Sequence, residues 1–360
     1  MKKIGLWLFC IGFFAVCAFF SLGMLIPGAS GAAEGAGDAP HLIETDPQSG
    51  RHTLNNNFGD AFENYFAKNF AFRNRVVDVF SAIKQNVFST GNDQVIVGGE
   101  GFLFFDETLD NYTGQNLMTD AEISEIADSL AQLSRYAAEH GASFLFVCAP
   151  NKNTIYPQYM PSRYVQSTSD GDLDRLYDAL DARGVPYLDL RPVLWQAAEQ
   201  KLVYHKKDTH WNGAGAYAAY SAMMEALGRT CPDFSPFGPH TVNDFEGDLD
   251  TLLYPGRGHY DTDEIYDLSG QYIYTSAYST PMDMRITTRS GGQGKLLCFR
   301  DSFANALIGY LACDFEQAVF ERPIPYAADQ LETFDADCVI VEIAQRNLST
   351  LSGCDSRIAK

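Results

Sequence analysis

The chain has 360 residues, is 46% hydrophobic, and carries 46 acidic against 26 basic residues, for a formal net charge of −20. That balance argues against a nucleic-acid partner and against a polybasic membrane-surface role. It also makes a strongly anionic polymer a less natural substrate, unless a local basic groove overrides the mean.

The first residues set the compartment. Met1-Lys2-Lys3 is positive, and Ile4 to Ile26 then runs without a charge. That run exceeds the roughly 20 residues needed to span a bilayer core. A cleavable signal has an apolar region of only about 7–15 residues. Residues 1–27 are therefore read as an uncleaved N-terminal transmembrane helix. The small residues Gly28 to Ala33 offer the alternative of a cleavage site and a secreted product. Either way Lys2 and Lys3 stay inside and the rest lies on the extracytoplasmic side of the cell membrane. Residues 28–57 are rich in Gly, Ala, Pro and polar residues without periodicity and read as a flexible linker.

The main domain is expected over 58–350. Apolar spacing predicts two helices between Phe58 and Phe88, broken near Asn69-Phe70. Gln94 to Phe105 reads as a β-hairpin with a Gly-rich turn. Thr119-Asp120 opens a helix that runs to His140, where Gly141 stops it. Ser143–Ala149 is continuously apolar, as a buried parallel strand should be, and Lys152 and Asn153 follow its carboxyl end, where open α/β sheets bind ligands. Further elements are a helix over Asp172–Arg183, a strand over Val185–Leu190 ending near Asp189, and a helix over Arg191–Gln200. Asp189 is either a site carboxylate or a cap. Gly213–Leu227 reads as a helix, and residues 231–294 as a weakly β insertion forming one wall of a groove. Strands over Lys295–Phe299, Gln317–Phe320 and Cys338–Ile343, with a helix over Phe303–Leu311, complete a three-layer α/β domain with a mostly parallel sheet.

Of the eight cysteines, Cys148, Cys298 and Cys338 lie in apolar runs and are expected as buried thiols. One disulfide among Cys231, Cys313 and Cys354 would suit their places near element ends. No CxxC spacing supports a zinc site.

Two stretches carry chemistry. In Asp208-Thr209-His210-Trp211-Asn212-Gly213 an Asp and a His stand two positions apart before an Ala-rich helix. In Cys298-Phe299-Arg300-Asp301-Ser302-Phe303 a buried strand delivers a Ser to a helix start. Acyl transfer needs a nucleophile, a base for its proton and a group that orients the base. Ser302, His210 and Asp208 supply those types, with the Ser302 N–H at a positive helix end as an oxyanion donor. The residues alone leave two other readings open. In one, His210 is structural, Asn212 caps the next helix and Ser302 is an ordinary N-cap. In the other, Asp208 and His210 bind a metal, for which no third ligand is evident. Asp301 is expected to support the turn.

These stretches resemble the AlgJ/AlgX-like and DHHW families of exported SGNH-type proteins. The resemblance rests on Asp208-Thr209-His210-Trp211 with Asn212-Gly213, on Gly98 to Phe104, on Ala149-Pro150-Asn151-Lys152 with Tyr156-Pro157, on Arg300-Asp301-Ser302-Phe303, and on Val341 to Leu348. It implies a permuted SGNH-hydrolase-like fold, with the Asp/His block ahead of the Ser block. It implies O-acetylation of an extracellular polysaccharide, with no cofactor and with the acetyl donor supplied by a partner, a membrane-bound O-acyltransferase. By motif position Ser302 is the nucleophile, His210 the base and Asp208 the orienting carboxylate. Arg322, Lys152 and Asn305 become candidates for substrate or oxyanion binding. Arg300 departs from the pattern, standing where a Gly usually precedes the Asp-Ser pair. The alternative is a non-catalytic polysaccharide-binding or assembly protein that keeps the fold.

Overall fold

A computed structural model describes residues 2–23, 39–45, 51–88, 91–169, 171–256, 259–278, 280–352 and 354. The chain divides into two compact units, 1–90 with 251–258, and 91–250 with 259–360. The two helices of 58–88, expected in the main domain, thus fall in the first unit.

In that unit Lys2–Gly23 is one helix. Its Phe19 stacks on Phe72, and Phe20 meets Phe70 edge-on. Among the described residues no helix is long and apolar enough to cross a membrane. Within Lys2–Gly23, side chains are described only for Trp7 and residues 10–23. Of the expected linker, 28–38 and 46–50 lie outside the described residues, while Ile43–Thr45 and His52–Leu54 pair as an antiparallel hairpin. The helices Phe58–Asn69 and Arg73–Phe88 break where expected, at a turn with Phe72 at a φ of 60°.

The second unit is built on a seven-stranded sheet. In chain order its strands are β1 (Ser143–Ala149), β2 (Tyr187–Asp189), β3 (Tyr272–Tyr274), β4 (Arg285–Ser290), β5 (Lys295–Phe299), β6 (Gln317–Glu321) and β7 (Cys338–Ala344), arranged β2-β1-β7-β5-β6-β4-β3. The pairs from β2 to β6 are parallel, and β4 and β3 add an antiparallel edge. Residues 231–294 are therefore more than an insertion. They supply the two antiparallel strands, β4 and the edge strand β3, and a separate hairpin, His240–Glu246 with Tyr260–Ile265.

Alternation along the strands makes the three layers. Leu145, Val147, Leu296, Cys298 and Ile340 face one side, where they meet Ala216, Ala219, Tyr220 and Met223 of the helix Gly213–Ala226. Phe144, Phe146, Leu297, Phe299 and Val341 face the other, against the helices Asp120–Glu139 and Asp172–Asp181. A strand buried on both faces cannot show a polar–apolar alternation, which is why β1, β5 and β7 read as plain apolar runs. The helix Asp120–Glu139 starts at a capping box in which Thr119 and Glu122 satisfy each other's backbone donors.

Two local expectations change. The strand over 185–190 pairs only through Tyr187–Asp189. The helix after Ser302 is a 3-10 turn, Phe303–Ala306, followed by a separate helix, Ile308–Asp314. In that first turn Phe303 N donates to Asp301 Oδ1 and Ala304 N to Glu342 Oε2. No described cysteine is bonded to another, so no disulfide joins Cys231, Cys313 or Cys354.

Phe299 ends β5, is fully buried and stacks on Tyr326 with centroids 4.5 Å apart. Phe299→Ala should lower stability by about 3–5 kcal/mol, read as a shifted urea midpoint. A change under about 1 kcal/mol would mean that this strand end is not packed as described.

Candidate active site

The carboxyl ends of β1, β5 and β7 bring together the two stretches singled out in the sequence. His210 Nδ1–H donates to Asp208 Oδ1 at 2.7 Å, and His210 Nε2 lies 2.8 Å from Ser302 Oγ. Because Nδ1 carries its proton toward Asp208, Nε2 is left as the acceptor for the Ser302 hydroxyl. Residues 92 positions apart in the chain thus form one hydrogen-bonded line.

Each member is fixed by the surrounding chain. Asp208 Oδ1 also accepts from His210 N at 2.7 Å, and its Oδ2 accepts from Asp248 N at 2.8 Å. Trp211 ties the two stretches directly: its indole N–H donates to Phe303 O at 3.0 Å, and the two rings meet edge-on. Asn212 caps the following helix through a bond from Gly215 N, so the capping part of the structural reading holds alongside the His–Ser contact. Gly215 is required there, because a Cβ would lie 2.1 Å from Val203 O.

Asp301 supports the turn, as expected. Its Oδ1 accepts from Phe303 N, and its Oδ2 accepts from Ala344 N and Asn347 Nδ2, all at 2.8 Å. Glu342 is fully buried beneath the same turn and accepts from Ala304 N at 3.2 Å and Asp301 N at 3.4 Å. Burial, followed by the charge of Asp301, pushes its carboxyl well above the usual range. Ser302 N has no acceptor among the described residues and stays free as a donor.

The remaining candidates separate. Lys152 is buried, and its ammonium donates to the carbonyls of His205 and Lys206 at 3.1 Å and of Asp208 at 2.6 Å. Burial pushes its pKa down to about 7, while Asp208, Asp248 and Asp261 pull it back up. Three acceptors match the three N–H bonds of the charged form. Asn153 is buried against Thr108. Asp189 accepts from Arg191 N and pairs with the Arg191 guanidinium. Arg322 touches the carbonyl and sulfur of Met282. Asn305 accepts from Arg300 Nη1 at 2.6 Å, and its Nδ2 lies 3.3 Å from Met282 Sδ.

A cavity of about 530 Å³ opens on His210 and Ser302, and Asn305 lines it. Lys152 and Arg322 do not. Arg300 points its guanidinium into a nest of acceptors: Asn305 Oδ1 and the carbonyls of Asp301, Pro281 and Asp283. It braces the Ser302 turn and leaves the approach to His210 open.

Sequence reasoning missed Asp248. Its carboxylate accepts from Thr209 N at 2.7 Å and Thr209 Oγ1 at 2.6 Å, and its Oδ2 stands 3.6 Å from His210 Nδ1. Burial and then the charge of Asp208 raise its pKa. Nothing in its weakly patterned stretch marks it. The nearest signal is Gly247, where a Cβ would sit 2.2 Å from Lys207 O. Asp248 also supplies the third ligand that the metal reading lacked, since atoms of Asp208, His210 and Asp248 lie within 4.8 Å of one another. A cation there would have to displace the His210–Asp208 and Thr209–Asp248 hydrogen bonds.

Comparison with known proteins gives the fold and its relatives. A family model described as SGNH hydrolase-like domain, acetyltransferase AlgX, matches residues 95–263. The chain is similar to the AlgJ/AlgX-like SGNH proteins. Among curated relatives, a probable alginate O-acetylase AlgJ from Pseudomonas putida is 27% identical over 179 residues, or 49% of this chain and 45% of the relative. The chain thus spans about half the length of the curated relatives it matches. Bacillus cereus PatB1 shares the fold at 17% identity and a TM-score of 0.56, over 72% of this chain and 99% of the other. A DHHW family protein from Eubacterium siraeum does so at 17% and 0.54, over 73% and 98%. The SGNH-like α/β fold with a mainly parallel central sheet follows from these matches.

Burial would raise the pKa of Asp208, but hydrogen bonds from His210 and from the N–H groups of His210 and Asp248 hold it well below the carboxylate range. A depressed carboxylate contributes stability above its unfolded pKa of about 3.9 and loses it as pH falls further. Thermal stability should therefore drop below about pH 4, and Asp208→Asn should remove part of that drop. An identical acid profile in the variant would contradict the assignment.

Proposed function

We propose that the chain is an extracytoplasmic SGNH-like O-acetyltransferase or acetylesterase that acts on a cell-surface or extracellular polysaccharide. The observation that carries the reading is the Asp208–His210–Ser302 line at the wall of the cavity. Similarity to probable alginate O-acetylases supports acetylation of a glycan as the chemistry.

In this reading Ser302 Oγ attacks the acetyl carbonyl while His210 Nε2 takes its proton. Asp208 holds the imidazole and steadies its charged form. The oxyanion is met by the free Ser302 N–H and by Asn305 Nδ2. Collapse breaks the acetyl–donor bond, and His210 returns the proton to the leaving oxygen. A sugar hydroxyl then attacks the acetyl-Ser302 ester, with His210 as base, and water takes its place in the esterase case. No cofactor is invoked. The donor would come from a partner, a membrane-bound O-acyltransferase.

The N-terminal segment is the proposed single-pass membrane anchor. Support comes from Lys2-Lys3 ahead of an uncharged run and from the helix Lys2–Gly23, on which Trp7, Ile11, Phe14 and Leu22 are more than half exposed.

The test is hydrolysis of a small chromogenic acetyl ester. The wild-type chain should hydrolyse it, and Ser302→Ala should lose about a thousandfold or more. Undiminished activity in Ser302→Ala would sink the mechanism, and an inert wild type would leave a glycan-binding or assembly role.

A further inference from the structure

The charge and shape of the cavity narrow the acceptor. We propose that the sugar seated in it carries no carboxylate, which sets this chain apart from an acetylase of polyuronates. The idea rests on the acyl-transfer reading only for where the reacting hydroxyl points.

Four carboxylates line the cavity: Asp208, Asp263, Glu264 and Asp267. No Lys or Arg lines it among the described residues. Its histidines do not offset this charge. His210 is committed to Asp208 and Ser302, and burial lowers the pKa of His205. Glu264 pairs with Lys201, a residue outside the cavity, so one charge is partly masked. Asp263 accepts from the N–H groups of Gly213 and Glu264, and Asp267 accepts from Ser269. Three guanidinium groups lie near the cavity without lining it, and Arg346 is stacked on the ring of Phe303. Arg300 is spent on Asn305 and three carbonyls, and Arg322 on Met282.

A uronate entering here would lose part of its hydration and gain no cationic partner. It would also enter a cleft whose field is of its own sign, and such clefts concentrate or repel ligands strongly. An uncharged sugar meets the opposite situation. Its hydroxyls donate, and carboxylates accept without needing a donor of their own. Its apolar C–H face needs a flat apolar surface, and the partly buried rings of Phe245, Tyr266 and Tyr272 line the same space.

The test is binding of oligosaccharides to the full chain carrying Ser302→Ala, which prevents turnover. An uncharged N-acetylhexosamine oligomer is compared with a mannuronate oligomer of equal length at low salt. The uncharged oligomer should bind about tenfold tighter or more, with the gap shrinking as salt rises. Glu264→Gln with Asp267→Asn should narrow the gap by improving uronate binding. Equal or tighter binding of the uronate, binding of neither, or a gap untouched by the charge changes would overturn the proposal. Ester hydrolysis by the wild-type chain reads the acyl-transfer chemistry separately, so an inert enzyme that still prefers the uncharged oligomer would sink that reading and leave this one.

Discussion

The site hangs on a lysine ammonium buried behind it. Lys152 leaves the carboxyl end of β1 and reaches three carbonyls of the segment 205–208. Those carbonyls belong to an irregular loop outside the main sheet. Lys206 O also accepts from Leu103 N at 2.8 Å, whereas a buried carbonyl left without a donor costs about 1–3 kcal/mol. The lysine resolves this by spending its whole donor capacity on backbone, which converts a loop into a rigid shelf. Asp208 stands on that shelf, and its carboxylate lines up His210. Lys152 was a substrate-binding candidate in the sequence; its three bonds make it a support for the Asp/His segment.

A second set of constraints brings Ser302 to that shelf. Asp301 and Glu342 accept the backbone donors of the 3-10 turn in which the chain leaves β5. Arg300 braces the same turn from the far end of its side chain through carbonyls of the 281–283 segment. Trp211 then locks the turn to the Asp/His segment through Phe303 O. The hydroxyl reaches His210 because backbone on both sides is held by buried side chains. The expected helix dipole at Ser302 is accordingly replaced by individual N–H groups.

Much of this was legible in the residues. Buried strands announce themselves as apolar runs, and β1, β5 and β7 lie where those runs predict. The helix Asp120–Glu139 was marked by its cap and its stop. Asp208, His210 and Ser302 were legible because their residue types and local patterns point to one chemistry. The illegible part depends on long-range pairing. Asp248 is forty positions from Asp208 and joins it through a backbone N–H, which any residue carries. The antiparallel strands β3 and β4 are half exposed, so neither forms the continuous apolar run that marks a strand buried on both faces. Asp189 and Asn153 kept two readings in the sequence because burial, not residue type, decides between them.

The central claim is that Ser302 becomes the acyl carrier. Rapid-quench mass spectrometry of the chain mixed with a small acetyl ester addresses it directly. The account predicts one transient acetyl group on the peptide containing Ser302, which accumulates within a turnover and disappears as product forms. Turnover of the ester with no acetylated peptide, or with the acetyl group on another residue, would contradict it.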